Sequence, residues 1–328
     1  VKIKDLFAIE ERPKKGLLAL EWVILAYAVI TLLIVLFCFT KVDNPNEMIW
    51  GRVRIAAITL GLWVVYRFMP CKATEFLRVL IEMLLLGWWY EDTSNINVLF
   101  PNLDHIVAHW DQMIFGFQPA LVFAEKFTQP VLSEFLEISY AMYYPIILIV
   151  CVYYFWHRYK EFEKCCFIVT ASFFTYYLFF DFIPVAGPMY YYPAIGMENV
   201  VKGIFPVISD KISHTALMKA PGWTDGIGYQ LITDIHGEER PTGAFPSSHV
   251  GITIVSLLLA IRSRSKKLTL FVVPFCIGIC FATVYIRSHY GIDAIVGLVS
   301  GIALYFFWNW VSNAGAFLLG LRTTNEKK

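Results

Sequence analysis

Charge is scarce in this chain. Asp, Glu, Lys and Arg make up 16% of its 328 residues, whereas soluble domains carry about a quarter. With 58% hydrophobic residues, that excludes an ordinary soluble globular domain. Net charge is only +1, and no basic stripe lies outside a few short turns, so a nucleic-acid surface is excluded too. The seven cysteines (Cys38, Cys71, Cys151, Cys165, Cys166, Cys276 and Cys280) follow neither a disulfide framework nor zinc spacing. The long loops lack an Asn-x-Ser/Thr acceptor, which favours a bacterial inner membrane over a secretory-pathway one. No small-x-small cleavage site follows the first apolar run, which ends Phe37-Cys38-Phe39-Thr40-Lys41, so it reads as a retained helix. There is no internal repeat.

What the chain has is apolar runs of membrane-spanning length. A bilayer core takes about twenty helical residues, and eight segments approach that: 18–40, 52–69, 73–90, 131–156, 164–183, 247–262, 268–286 and 290–311. The expected fold is an all-α polytopic membrane protein forming one membrane domain. Glu75, Arg78 and Glu82 share a helix face in the third segment and are expected to form a buried ion ladder. Eight crossings put both termini on one side. Eighteen of the 27 Lys and Arg fall on that side, so the positive-inside bias makes the termini cytoplasmic.

The organisation expected is an N-terminal membrane segment over 1–90 of about three helices, an interfacial outer loop over 91–130, a membrane core over 131–312 with an outer loop at 184–246, and a cytoplasmic tail over 313–328. Residues 200–208 are expected along the interface. The aromatic triplets Trp88, Trp89, Tyr90 and Tyr190, Tyr191, Tyr192 are expected in its belt.

Two stretches carry chemistry: Pro246-Ser247-Ser248-His249 and His289-Tyr290-Gly291-Ile292-Asp293. Both open an apolar segment from the outer face, so His249 and His289 share a level. Asp293, at i+4 from His289, is positioned to take the Nδ1 proton and leave Nε2 as a nucleophile. Ser247 and Ser248 head a helix whose free amides suit phosphate. His249 suits a general acid, and Arg287 a clamp on phosphoryl oxygens. Glu238, Glu239 and Arg240 lie close enough in sequence to touch a headgroup. His105 and His109 have metal-ligand spacing but no third ligand. A proton-coupled transporter built on Asp293 would show matched, broken helices in two halves, and none are found.

Pro-Ser-Ser-His followed by His-x3-Asp resembles motifs two and three of the type 2 phosphatidic acid phosphatase superfamily. The resemblance covers about residues 130–311. It implies a six-helix core preceded by about two extra N-terminal helices, and metal-independent chemistry without a cofactor. It also implies a phosphohistidine at His289, with Asp293 its partner and His249 the proton donor. The family's cations are missing. Thr283 stands where the third motif carries Arg, and Phe182-Ile183-Pro184-Val185-Ala186-Gly187-Pro188 takes the first motif's place without a base. Arg240 alone remains near Pro246 as a further phosphate ligand. A site with few cations suits a singly charged phosphodiester over a phosphomonoester.

Gly243-Ala244-Phe245-Pro246-Ser247-Ser248-His249 and Arg287-x-His289-Tyr290-x-x-Asp293 are similar to the inositol phosphorylceramide synthase and sphingomyelin synthase branch. That implies an enzyme moving a phospho-headgroup from a phospholipid donor to a lipid acceptor such as ceramide. The missing Asn-x-Ser/Thr acceptor and the Lys and Arg distribution lead to the expectation of a bacterial inner membrane with the site on the periplasmic side. The alternative is a lipid phosphate phosphatase acting on phosphatidate or an isoprenyl diphosphate, with water as acceptor.

Overall fold

The computed structural model describes residues 1–11, 13–208, 212, 217–219, 221–238 and 242–318. Among them, every regular element is helical. Four helices come first: α1 (Ala19–Phe37), α2 (Pro45–Phe68), α3 (Lys72–Leu84) and α4 (Leu86–Asn97). Short helices α5 (Asp104–Phe115) and α6 (Pro119–Lys126) follow. Next come α7 (Pro130–Ala141), α8 (Tyr143–His157) and α9 (Tyr159–Phe182). A second loop region holds α10 (Pro188–Ile195), α11 (Met197–Val201) and α12 (Ile227–Glu238). The chain closes with α13 (Ser248–Arg262), α14 (Lys266–Tyr285) and α15 (Gly291–Leu318).

The all-α polytopic membrane architecture is the one expected. Helices α1, α2, α9, α14 and α15 are each long and apolar enough to cross a membrane, and α7 with α8 makes a sixth span bent by 54°. The bend has a local cause. Pro145 cannot donate to the Ala141 carbonyl and its ring crowds that oxygen, so the helix breaks between them. Two of the eight expected segments fall short of a continuous span. The third divides at Leu85 into α3 and α4, and the sixth, α13, has 15 residues. At 1.5 Å per residue, α13 reaches about 22 Å of a core about 30 Å thick. The last helix runs to Leu318, past the boundary at 312.

Contacts sort the helix ends into two groups. At one end, Glu10 N–H donates to Pro70 O, Lys14 Nζ meets Glu75 and Glu163, Arg158 donates to Ser263 O, and Lys164 reaches Asn313. At the other, Leu103 N–H donates to Pro184 O, Met189 N–H to Arg287 O and Ser247 N–H to Asp293 O. Successive spans therefore run in alternating directions.

The ion ladder is buried as expected, but its partners come from other segments. Arg78 pairs with Glu21 of α1, and Glu75 accepts from Lys14 at 2.8 Å and from Tyr159 at 2.8 Å. The aromatic triplets differ from the expectation. Trp89 is fully buried, edge-on to Tyr27 at 5.1 Å. Tyr190, Tyr191 and Tyr192 are buried as well, because α10 packs beneath the loops at the second end. Tyr192 donates to Gln118 Oε1 at 2.5 Å and Tyr191 to Pro206 O at 2.7 Å, which satisfies their hydroxyls.

Helices α13 and α15 approach closely along glycine. A Cβ added to Gly297 would stand 2.6 Å from Ser247 O, and one on Gly301 would stand 2.5 Å from Gly251 O. Gly297 and Gly301 are i,i+4, a small-xxx-small seam that lets backbones touch. This seam brings the starts of α13 and α15 together.

Candidate active site

The site lies where three loops meet at the second end. Loop 184–188 is central. Its Val185 carbonyl accepts from Ala244 N–H at 3.0 Å, and its neighbour Met189 donates to Arg287 O at 3.0 Å. Gly187 has φ +97°, and an added Cβ there would collide with Ser288 O. Only glycine fits both the backbone and the space. Against this loop pack the turn 286–290 and the stretch 242–247.

His289 is 3% exposed. Its Nδ1 lies 2.7 Å from the Ala244 carbonyl oxygen. A carbonyl only accepts, so Nδ1 carries a proton, and in the neutral form of the ring the lone pair is on Nε2. Nε2 faces His249 Nδ1 at 3.5 Å. His249 stands in the first turn of α13, between Tyr140 at 4.6 Å and 22° and Tyr143 at 4.3 Å and 43°. These rings fix the plane of its imidazole. A cavity of ≈ 30 Å³ opens on the pair, about the share of one water. Tyr90, Tyr140, Tyr190, Thr242, Ser248 and Ser288 contribute its other polar side chains.

Asp293 is completely buried beside His289 but does not reach its ring proton. Its Oδ2 is 3.6 Å from Nδ1 and accepts from Tyr290 N–H at 2.8 Å. The expected tautomer is thus set by the Ala244 carbonyl in place of the carboxylate. Ser247 also differs from the expectation. Its hydroxyl caps its own helix, accepting from Val250 N–H at 3.4 Å, and it does not line the cavity. Ser248 does. Arg287 has φ +70°, and its guanidinium donates to Lys219 O at 3.2 Å, outside the cavity lining. Burial lowers its pKa. Arg240 and Glu239 lie outside the described residues, as does the side chain of Glu238. Thr283 turns its carbonyl to His289 N–H at 3.0 Å. Among the described residues that line the cavity, none is Lys or Arg.

Helix α5 brings two carboxylates that the sequence showed only as part of a loop. Asp104 accepts from Ala186 N–H, Gly187 N–H and Tyr290 Oη at 2.6, 2.8 and 2.8 Å. Asp111 accepts from Gly291 N–H and Ile292 N–H, both at 2.8 Å. Burial raises both pKa values, that of Asp111 to about 6, and the donated amides act against the rise. Their i,i+7 spacing on a short helix was the available signal. The continuation of α4 beyond residue 90 was missed too. Tyr90 donates to Thr242 O at 3.1 Å and Asn97 bonds the Thr242 hydroxyl, so α4 walls one side. His105 and His109 form no metal site; among the described residues no group of three or more His, Cys, Asp or Glu could hold a metal.

An imidazole held through Nδ1, a second imidazole facing its Nε2, and a helix start alongside can pass a phosphoryl group between two oxygens. No curated protein and no solved structure matches the chain. A family model described as the PAP2 superfamily matches residues 105–307. That stretch begins in α5, runs into α15 and contains both histidines, and the chain belongs to the PAP2 superfamily, whose members are phosphatases and phosphotransferases.

Proposed function

We propose that the protein is a membrane lipid phosphotransferase that moves a phospho-headgroup from a glycerophospholipid to a lipid hydroxyl such as that of ceramide. One observation carries the reading: the two histidines face each other over a cavity whose described lining holds no Lys or Arg. A phosphomonoester is close to a dianion and calls for several cations, whereas a phosphodiester carries one charge. The first-turn amides of Ser248 and His249 suit that single charge.

In the first half-reaction, His289 Nε2 forms a bond to phosphorus and the bond to the diacylglycerol oxygen breaks. His249, protonated, gives its proton to the departing alkoxide. The rings must part from 3.5 Å to admit phosphorus between them, which puts nucleophile and acid on opposite sides of it. In the second half, the acceptor hydroxyl gives its proton to His249 and its oxygen bonds phosphorus as the N–P bond breaks. No metal or cofactor enters these steps. Asp293 supports the imidazolium charge electrostatically through the 3.6 Å gap. The basic end of the bundle, with Arg262, Arg264, Lys266 and Lys267, favours a cytoplasmic side there. The site then opens on the outer face, periplasmic in a bacterial inner membrane.

The test uses purified protein in mixed micelles with headgroup-labelled phosphatidylinositol or phosphatidylethanolamine, with and without ceramide. Label should reach a new lipid only when ceramide is present. Free phosphate from phosphatidate without any transfer product sinks the transferase reading in favour of water as acceptor. His289→Ala is expected to abolish turnover, a loss of at least about 10³-fold.

A further inference from the structure

Three consecutive amides follow the nucleophile: those of Tyr290, Gly291 and Ile292. They open α15, where amides have no partner within the helix. Asp293, on α15 itself, takes the first at 2.8 Å. Asp111 takes the other two, both at 2.8 Å, from a separate helix some 180 residues earlier. Asp111 is fully buried. The contact is close as well as bonded: a Cβ on Gly291 would stand 2.8 Å from the Phe115 ring and 3.0 Å from Pro119. The end of α5 and the start of α6 therefore rest on the residue after Tyr290.

Asp104 lies two turns earlier on the same helix and works on the other side of the histidine. It holds the amides of Ala186 and Gly187 and the hydroxyl of Tyr290. Loop 184–188 in turn holds Ala244 through Val185 O, and the Ala244 carbonyl takes the His289 ring proton. Helix α5 thus grips the backbone that carries His289 and the loop that supplies its ring acceptor.

Resting on the proposed reaction, we infer that Asp111 is a positioning residue for His289: it fixes the start of α15 so that Nε2 keeps its line to His249, and Asp104 secures the acceptor of the ring proton. Neither carboxylate lines the cavity, so both act through His289 and not on the substrate. The balance of a nucleophile's orientation is steep. A misplacement of about 1 Å can cost 10²-fold in rate while leaving substrate binding intact.

The experiment follows diacylglycerol release by the full chain in mixed micelles, with phosphatidylinositol, phosphatidylethanolamine and phosphatidate as separate donors. Diacylglycerol leaves in the first half-reaction whether the acceptor is a lipid or water. Asp111→Asn, which keeps one acceptor oxygen, is expected to lower kcat about tenfold. Asp111→Ala, which keeps none, should lower it about a hundredfold. KM should stay within about twofold in both, because substrate contacts are untouched. Asp104→Asn should fall between them. If Asp111→Ala does not yield folded protein, the Asn variant decides. An unchanged kcat in Asp111→Asn, or a loss carried by KM, overturns the inference. So does a loss of rate matched by an equal loss of folded molecules on size exclusion. His289→Asn run in parallel separates the two claims. An active His289→Asn removes the proposed chemistry itself, whereas an inactive His289→Asn beside a fully active Asp111→Asn removes only the positioning role.

Discussion

The Nδ1 proton of His289 goes to the Ala244 carbonyl at 2.7 Å, while the nearer Asp293 oxygen lies at 3.6 Å. This division of labour predicts how Asp293→Asn behaves. Where an aspartate sets a catalytic histidine's tautomer, its amide costs about 10⁴-fold in kcat. Here the backbone carbonyl holds the tautomer whatever stands at 293, and only the carboxylate's charge beside the forming imidazolium is lost. A fall of about 10- to 100-fold in kcat is expected for diacylglycerol release, with KM little changed. A loss of 10⁴-fold would mean that the carboxylate moves onto Nδ1 in the working enzyme. The meeting of His249, His289 and Asp293 was readable from sequence because both motifs open apolar segments from the same face and His289 and Asp293 are i,i+4. Ala244 was not, since it acts through a carbonyl that every residue possesses. Ser247 and Arg287 stood at the right positions in sequence, but rotation about the first turn and a positive φ aim their side chains elsewhere.

Helices α13 and α15 hold the two histidines at the ends of a shared glycine seam. Gly301 sits against the Gly251 backbone, and Gly251 itself leaves no room for a Cβ beside Tyr176 Oη. Gly301→Leu must push the helices apart by the thickness of a side chain, at a cost of about 1–3 kcal/mol or more. The parting is felt one to two turns away, where Ser247 N–H meets Asp293 O at 3.2 Å. Loss of at least about tenfold in kcat and a lower thermal midpoint in detergent are expected. Unchanged activity in Gly301→Leu would show that the seam does not set the spacing of the histidines. The helices were legible as long apolar runs, and the seam too was in plain sight as Gly297 and Gly301. The breaks were not. Hydropathy is continuous through Ala141 and Leu85, and the division of α7 from α8 is written only in Pro145, three residues inside the next helix. The α5 clamp was hidden for a different reason. Its short, mixed-polarity pattern resembles any interfacial loop until Asp104 and Asp111 are seen to meet amides from far along the chain.

At the scale of the molecule, the alternating spans create two unlike ends. One gathers Lys14, Arg158 and Arg262 with their acidic partners, and Lys164 with Asn313; the other gathers the loops and the histidines. Positive charge resists translocation, so the first end should face the cytoplasm and the site the outside. The native cysteines allow a direct check, because six of the seven lie within helices or at the buried start of α3, and Cys38 alone sits in a turn at the site end. In a Cys38→Ser background, Trp223→Cys marks the site end, where Trp223 is 42% exposed and its N–H donates to Ser133. Lys267→Cys marks the other end, where position 267 is exposed. A membrane-impermeant maleimide applied to spheroplasts should label Trp223→Cys at once and Lys267→Cys only after permeabilisation. The reverse pattern would put the histidines in the cytoplasmic leaflet. The donor and acceptor would then be the lipids of that leaflet, and the charge clusters at the opposite end would have crossed the membrane against the bias that normally retains them.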